Sequence, residues 1–349
     1  MPIPYRRVDC SAPGIARRRR GRGFEYRDAN GTRIDDAETI ARIRALAIPP
    51  AWKDVWICSD PKGHIQAVGL DEAGRKQYIY HEHWRTRRDQ LKFDRMIEFA
   101  ESLPKVRFMT NEHLALDGMP KERALACAVR LLDRGFFRIG GEGYAEENKT
   151  YGLATMRKEH VAIENGAVVF DYIAKSGKQR IQSVVDPAVL KVVSILKRRR
   201  SGGAELLAYK SGSRWVDVKS SDINLYLREV SGGDYSAKDF RTWHGTVQCA
   251  LALAVSFEAH ASKTARKRAI TRAVKEVSHY LGNTPAVCRK SYIDPRVIDR
   301  YEGGLTIAGV LEELGETDAF TEGSLAIVEE AVLDLVRGRK TSPHLERVA

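Results

Sequence analysis

With 349 residues and a net charge of +12, the chain is long enough for two domains and carries a field suited to a polyanion. Its 43% hydrophobic content is ordinary for a globular protein, no apolar run approaches a membrane span, and the N-terminus shows no signal-peptide core. Cys10, Cys58, Cys127, Cys249 and Cys288 form no CxxC pair, so they read as reduced thiols in a cytoplasmic setting. His81-x-His83 has no Cys or carboxylate at ligand spacing, which argues against zinc. Nine acidic residues and no Lys or Arg lie between Glu302 and Val336, so the positive charge is concentrated in the rest of the chain. That distribution favours nucleic acid over a membrane surface.

Residues 1–23, with the run Arg17–Arg20 and Arg22, read as a basic flexible arm. From 24 to about 90 the pattern is strands and turns (55–58, 64–69 and 77–81), with one helix over 37–46 before Pro49-Pro50. In the last strand Tyr78 and Tyr80 share one face and Gln77 takes the other, next to Arg75 and Lys76. The two tyrosines fit either a nucleic-acid contact or an ordinary core strand. Helical periodicity begins near Thr86 and is strongest over 91–103 and 121–133, with Gly135 as a stop. Arg138 follows two aromatics in GFFRIGGEGY, where a guanidinium emerging from packed surface needs an anionic partner. Gly140, Gly141 and Gly143 fit neither GxGxxG nor a P-loop, so no nucleotide site is expected.

VVFDYIAKSGKQRIQ reads as a β-hairpin turning at Ser176-Gly177, with Lys175 and Lys178 at the strand ends. Helices are expected over 190–200 and 220–230. A third starts at the capping box Ser236–Asp239 and carries Lys238, Arg241 and His244 on one face. Such a group of cations near a helix N-terminus calls for an anion. A very basic segment, 261–276, leads into SHYLGNTPAVCRKSYIDP, where Gly282 ends one helix and Thr284-Pro285 starts a short one. Tyr292 falls on that short helix. A phenol is a weak nucleophile at neutral pH unless cations surround it, and an ordinary half-buried tyrosine fits the local pattern too. Two acidic helices follow Gly304.

In this order, FFRIG, YIAKSGK, KDFRTWH and LGNTPAVCRKSYI resemble the type IB DNA topoisomerases, in their bacterial and poxvirus-like branch. IPPAWKDVWIC and GRKQYIYH resemble that family's first domain, so the likeness spans residues 24–300. It implies an α+β fold: a β-rich N-terminal domain over 24–90 and a mostly helical catalytic domain over 91–301, forming a clamp around duplex DNA. Residues 302–349 would be acidic C-terminal helices and tail. Residue by residue, the resemblance makes Tyr292 the nucleophile, Arg138 and Arg241 the clamp on the scissile phosphate, and Lys175 the general acid. Asn283 stands where many members have a histidine. Gln77, Tyr78, Tyr80, Tyr144 and Lys238 match positions that contact DNA. Gly141 stands where the viral enzymes carry a lysine, so their site preference is not implied. The expected activity is relaxation of supercoils through a 3′-phosphotyrosyl intermediate, by a monomer associated with the nucleoid, with no metal, nucleotide or other cofactor. The rivals are a tyrosine recombinase, which shares the catalytic domain, and a non-catalytic DNA-binding protein.

Overall fold

A computed structural model describes residues 5–256, 262–315, 322–339 and 341–347, and divides the chain into units spanning Met1–Asp94 and Arg95–Ala349. The first unit is an antiparallel sheet in the order β2-β1-β3-β4-β5. Its strands are β1 (Ile15–Arg20), β2 (Gly23–Arg27), β3 (Lys53–Ile57), β4 (Ile65–Leu70) and β5 (Lys76–Tyr80). Helix α1 (Ala37–Ala45) is capped by Asp36, whose side chain accepts from the Thr39 amide, and it adds Ile43 to a core of Ile15, Val55, Ile57 and Ala67.

The arginine run expected in a flexible arm is instead strand β1, paired with β2 from Ala16–Arg27 to Arg20–Gly23. Alternation explains it: Ile15 is buried, and the Arg17 guanidinium donates to the carbonyls of Ile48, Pro49 and Trp52 while lying 4.2 Å from the Phe24 ring centroid. Run composition suggested solvation, but an arginine stem packs well along a strand.

α2 (Glu82–Leu114) starts before Thr86 and continues past Pro104. Leu103, Val106, Thr110 and Leu114 keep one buried face across the proline, so packing outweighs one lost hydrogen bond. In the second unit, α3 (Lys121–Gly135) is buried on nearly every side and forms the centre. It ends at Phe136, which adopts a left-handed conformation with φ 54°. After α4 (Glu142–Asn148), the strands β6 (Val161–Glu164), β7 (Ala167–Ala174) and β8 (Lys178–Val184) form an antiparallel sheet. The β7–β8 register pairs Ala174 with Lys178, so the turn is three residues, Lys175–Gly177, rather than two.

α5 (Pro187–Arg198), the pair β9 (Ala208–Ser211) and β10 (Arg214–Asp217), and α6 (Ser220–Ser231) pack around α3. α7 (Ala237–Val255) begins at the Ser236–Asp239 capping box. α8 (Lys263–Leu281) ends at Gly282, whose φ of 61° is left-handed. Thr284 caps α9 (Pro285–Ser291), and Tyr292 is its C-cap. α10 (Pro295–Glu302), which periodicity had not separated, follows on the Asp294 cap. The acidic end contains β11 (Leu305–Thr306), α11 (Gly309–Gly315), α12 (Glu322–Arg337) and β12 (Glu346–Arg347). α12 packs on α7 and α10, burying Val328, Ala331, Val332 and Leu335, so it belongs to the core of its unit.

Candidate active site

All five residues singled out for chemistry lie in the second unit, and two adjoining cavities bring them together. One, of about 380 Å³, is lined by Arg138, Lys175, Lys178, Arg180, Arg241, Lys275 and Asn283, among others. The other, of about 270 Å³, shares Arg138, Lys175 and Arg241 and adds Lys238 and Tyr292. Among the described residues neither cavity is lined by a carboxylate. Cations gathered without acids define an anion site.

The cations are organised by the end of α8. The last carbonyls of a helix have no partner within it and carry partial negative charge. Here Arg241 Nη2 donates to Leu281 O at 2.7 Å, and Arg138 Nη2 to Gly282 O at 3.0 Å. Arg180 donates to His279 O at 2.9 Å and Tyr280 O at 2.6 Å. Backbone dipoles thus hold the guanidiniums without neutralising them, as a carboxylate would.

Arg241 is 4% exposed on α7 and also donates to Phe136 O at 2.6 Å, using the carbonyl that the left-handed turn after α3 presents. Burial, reinforced by Arg138, pushes its guanidinium down to about 10, with Tyr292 acting in the other direction. It stays cationic at neutral pH. Arg138 also donates to Asn283 Oδ1 at 2.6 Å. Among the described residues Arg241 Nε and Asn283 Nδ2 are buried donors without a hydrogen-bond partner, an arrangement that costs free energy unless an acceptor enters the cavity. Lys175 is exposed on the hairpin turn.

Tyr292 is half-buried, with its ring 5.3 Å from the Arg241 guanidinium carbon. Tyr172 also lines the first cavity, but its hydroxyl donates to Gln182 Oε1 at 2.9 Å, and burial pushes its pKa up. His244 does not join the cations of its helix face. It is buried against the Phe136 ring, with Nε2 3.7 Å from Asp133 Oδ1. The expectation that Lys238, Arg241 and His244 present one shared cationic face therefore holds for the first two, since a buried acid from α3 draws the histidine inward.

The expected DNA contacts divide between the units. Lys238 is exposed beside the second cavity, and Tyr144 lies on α4 with a side chain outside the described ones. In the first unit, the Tyr78 and Tyr80 rings stack at 5.9 Å, while Gln77 on the other face donates to Asp71 Oδ2 at 2.9 Å. Sequence reasoning missed the continuation of this stack. Trp84 lies 4.5 Å from Tyr80, and Arg88 sits over Trp84 and Tyr80 at 4.8 and 5.3 Å. The four-residue spacing of Tyr80, Trp84 and Arg88 was the available signal, hidden by starting the helix too late. Arg180 and Gly245 were missed as well, because their partners lie far away in sequence.

The sequence matches the family described as "Eukaryotic DNA topoisomerase I, catalytic core" over residues 81–310. It also matches "Bacterial DNA topoisomerase IB, N-terminal domain" over residues 23–71. It is 30% identical over 296 residues to DNA topoisomerase 1B of Acanthamoeba polyphaga mimivirus, covering 83% of this chain and 88% of that protein. It is 21% identical over 233 residues to DNA topoisomerase 1B of vaccinia virus strain Copenhagen, covering 66% and 71%. With DNA topoisomerase 1 of Schizosaccharomyces pombe it shares 32% identity over 127 residues, covering 36% and 15%. The chain belongs to the type IB DNA topoisomerases.

Proposed function

We infer that this chain relaxes supercoiled DNA by cutting one strand, allowing rotation, and resealing it. In the first step Tyr292 Oη, having released its proton to solvent with the nearby cations favouring the phenolate, attacks phosphorus and forms a 3′-phosphotyrosyl bond as the bond from phosphorus to the 5′ oxygen breaks. Arg138, Arg241 and the amide of Asn283 stabilise the charge on the non-bridging oxygens. Lys175 protonates the departing 5′ oxygen, which is too basic to leave unaided. Resealing reverses each step, and because the phosphotyrosyl bond retains the energy of the broken one, it requires no nucleotide.

The observation that carries this reading is the pair of cavities, lined by no carboxylate among the described residues, in which Tyr292, Lys175, buried Arg241 and half-buried Arg138 meet. Cations already supply the charge stabilisation that a metal ion gives other phosphoryl-transfer sites, so activity in EDTA is expected. Lys238, Tyr144 and the Gln77, Tyr78 and Tyr80 face are proposed to grip the duplex, the first unit serving as one part of a clamp. We place the protein at the nucleoid as a monomer. Among the described residues no helix is long and apolar enough to cross a membrane.

The test is supercoiled plasmid with EDTA and no ATP. Relaxation is expected, together with an adduct trapped on a denaturing gel. Tyr292→Phe should bind duplex normally yet lose both signals. A normal adduct from that variant would put the nucleophile elsewhere. A tyrosine recombinase would need synapsis of two duplexes, so relaxation by isolated protein at dilutions that prevent pairing separates the two activities. The strand-rich first unit supports the topoisomerase.

A further inference from the structure

We propose that Arg180 is a positioning residue that fastens the hairpin carrying Lys175 to the α8–α9 corner from which Asn283 and Tyr292 follow. This rests on the roles proposed above for Lys175 and Tyr292. The hairpin turn is exposed from Lys175 through Gln179, with Ser176 and Gly177 both at φ 69°. A side chain there is located only as well as the turn itself is. Coming back along β8, Arg180 stands opposite Tyr172 and leaves the sheet for α8. Its two terminal nitrogens each take a different carbonyl, His279 O at 2.9 Å and Tyr280 O at 2.6 Å, about 100 residues along the chain.

Those carbonyls directly precede Leu281 O and Gly282 O, which receive Arg241 and Arg138. Four successive carbonyls therefore gather three guanidiniums, from β8, from α7 and from the stretch between α3 and α4, and Arg180 is the one that comes from the hairpin. The fork of a guanidinium can meet two neighbouring carbonyls at fixed separation, whereas an ammonium is a point charge on a flexible stem. Each terminal nitrogen gives one hydrogen to backbone and so ties the hairpin to this corner; an effect on the acid's position, as against one on the phosphate, is what a sulfur leaving group reads. A displacement of about 1 Å at a reacting group can cost on the order of 10²-fold in rate.

The experiment is single-turnover cleavage by the full chain, on duplex with either oxygen or sulfur at the bridging 5′ position. A thiolate leaves without protonation, so sulfur removes the need for the acid. Arg180→Ala should slow the oxygen substrate on the order of 10²-fold and recover most of that on sulfur, as Lys175→Ala should. Arg138→Ala should stay slow on both, and Arg180→Lys should be nearly as slow as Arg180→Ala on oxygen. If Lys175→Ala recovers on sulfur while Arg180→Ala does not, the inference is overturned. Restoration of rate by Arg180→Lys would overturn it too, since charge alone would suffice. If Lys175→Ala itself fails to recover, it is the assignment of the acid that falls. Thermal unfolding is run on every variant, and Arg180→Gln, which keeps part of the apolar stem and an amide donor but cannot span both carbonyls, replaces the alanine variant if that does not fold.

Discussion

A methyl group at Gly245 would sit 2.6 Å from the Tyr292 carbonyl oxygen and 3.3 Å from its Cβ. This glycine lies on α7 one turn after Arg241, so the helix that carries the proposed phosphate-binding cation also sets how closely the backbone of Tyr292, the proposed nucleophile, can approach. In an unencumbered helix, Gly→Ala would stabilise by about 1 kcal/mol. Here overpacking, at about 1–3 kcal/mol, reverses the sign. Gly245→Ala is expected to lower stability and to slow adduct formation on the order of 10²-fold, through displacement of Tyr292 from Arg241. Denaturant unfolding and single-turnover cleavage measure the two effects, and an undisturbed cleavage rate would show that the close approach is not needed. Gly282 has a different constraint: its φ of 61° turns the chain toward Asn283, and a Cβ would come within 3.1 Å of the Arg180 guanidinium.

The aromatic ladder of the first unit makes a prediction for an element. Tyr78, Tyr80, Trp84 and Arg88 join β5 to the first turns of α2. If this ladder grips the duplex, Trp84→Ala should weaken binding by about 1 kcal/mol without altering the salt dependence, because no charge is lost. Arg88→Ala should reduce the slope of log affinity against log salt by about 0.9. Equal slopes for wild type and Arg88→Ala would remove the arginine from the phosphate contacts. What was legible in the sequence here, and what was not, follows from the range of the interactions. Thr284-Pro285, the Ser236–Asp239 box and the strand alternation of Tyr78 and Tyr80 are local signals, and each element formed where they said. Trp84, Arg180 and Gly245 are defined by partners on other elements, which periodicity does not encode. β1 was misread because arginine composition outweighed an alternation only a few residues long. Arg138, Lys175, Arg241, Asn283 and Tyr292 emerged together because their order resembles a known family; their spacing alone would have left each ambiguous.

Across the second unit, a largely buried polar network ties the acidic end of the chain to α7. Arg107 on α2 pairs with Asp133 at 2.9 Å and with Glu329 on α12 at 2.6 Å, and Glu329 accepts from Trp243 Nε1 at 2.9 Å. The acidic helix is thus a brace for α7, whatever its bulk charge suggested. Burial alone would push the Asp133 carboxyl up, but His244 and Arg107 more than reverse this and hold it well below the usual carboxylate range. A depressed folded pKa means the stabilisation is complete above the unfolded value, near 4, and is lost as pH falls below it. Asp133→Asn is expected to cost about 1–3 kcal/mol at pH 7, because half-buried Arg107 loses one of its two carboxylates and keeps Glu329. It should also flatten the loss of stability below about pH 4. Unfolding at neutral and acid pH checks both, and an unchanged acid limb would mean that other carboxylates control it.

Because the guanidiniums of the proposed site are held by carbonyls and not by carboxylates, their charge is free to attract a tetrahedral oxyanion of any kind. Such an anion binds the folded state alone and so raises the unfolding midpoint by mass action, worth about 2.7 kcal/mol at a hundred times its dissociation constant. Sulfate should therefore protect the chain from heat more than chloride does at matched ionic strength. General exclusion of sulfate from protein surfaces adds a background, which Arg138→Ala should leave intact while abolishing the excess. The same excess should reappear as competitive inhibition of duplex binding. Inorganic phosphate would then act as a mild competitor, setting the concentration of DNA at which the protein begins to work.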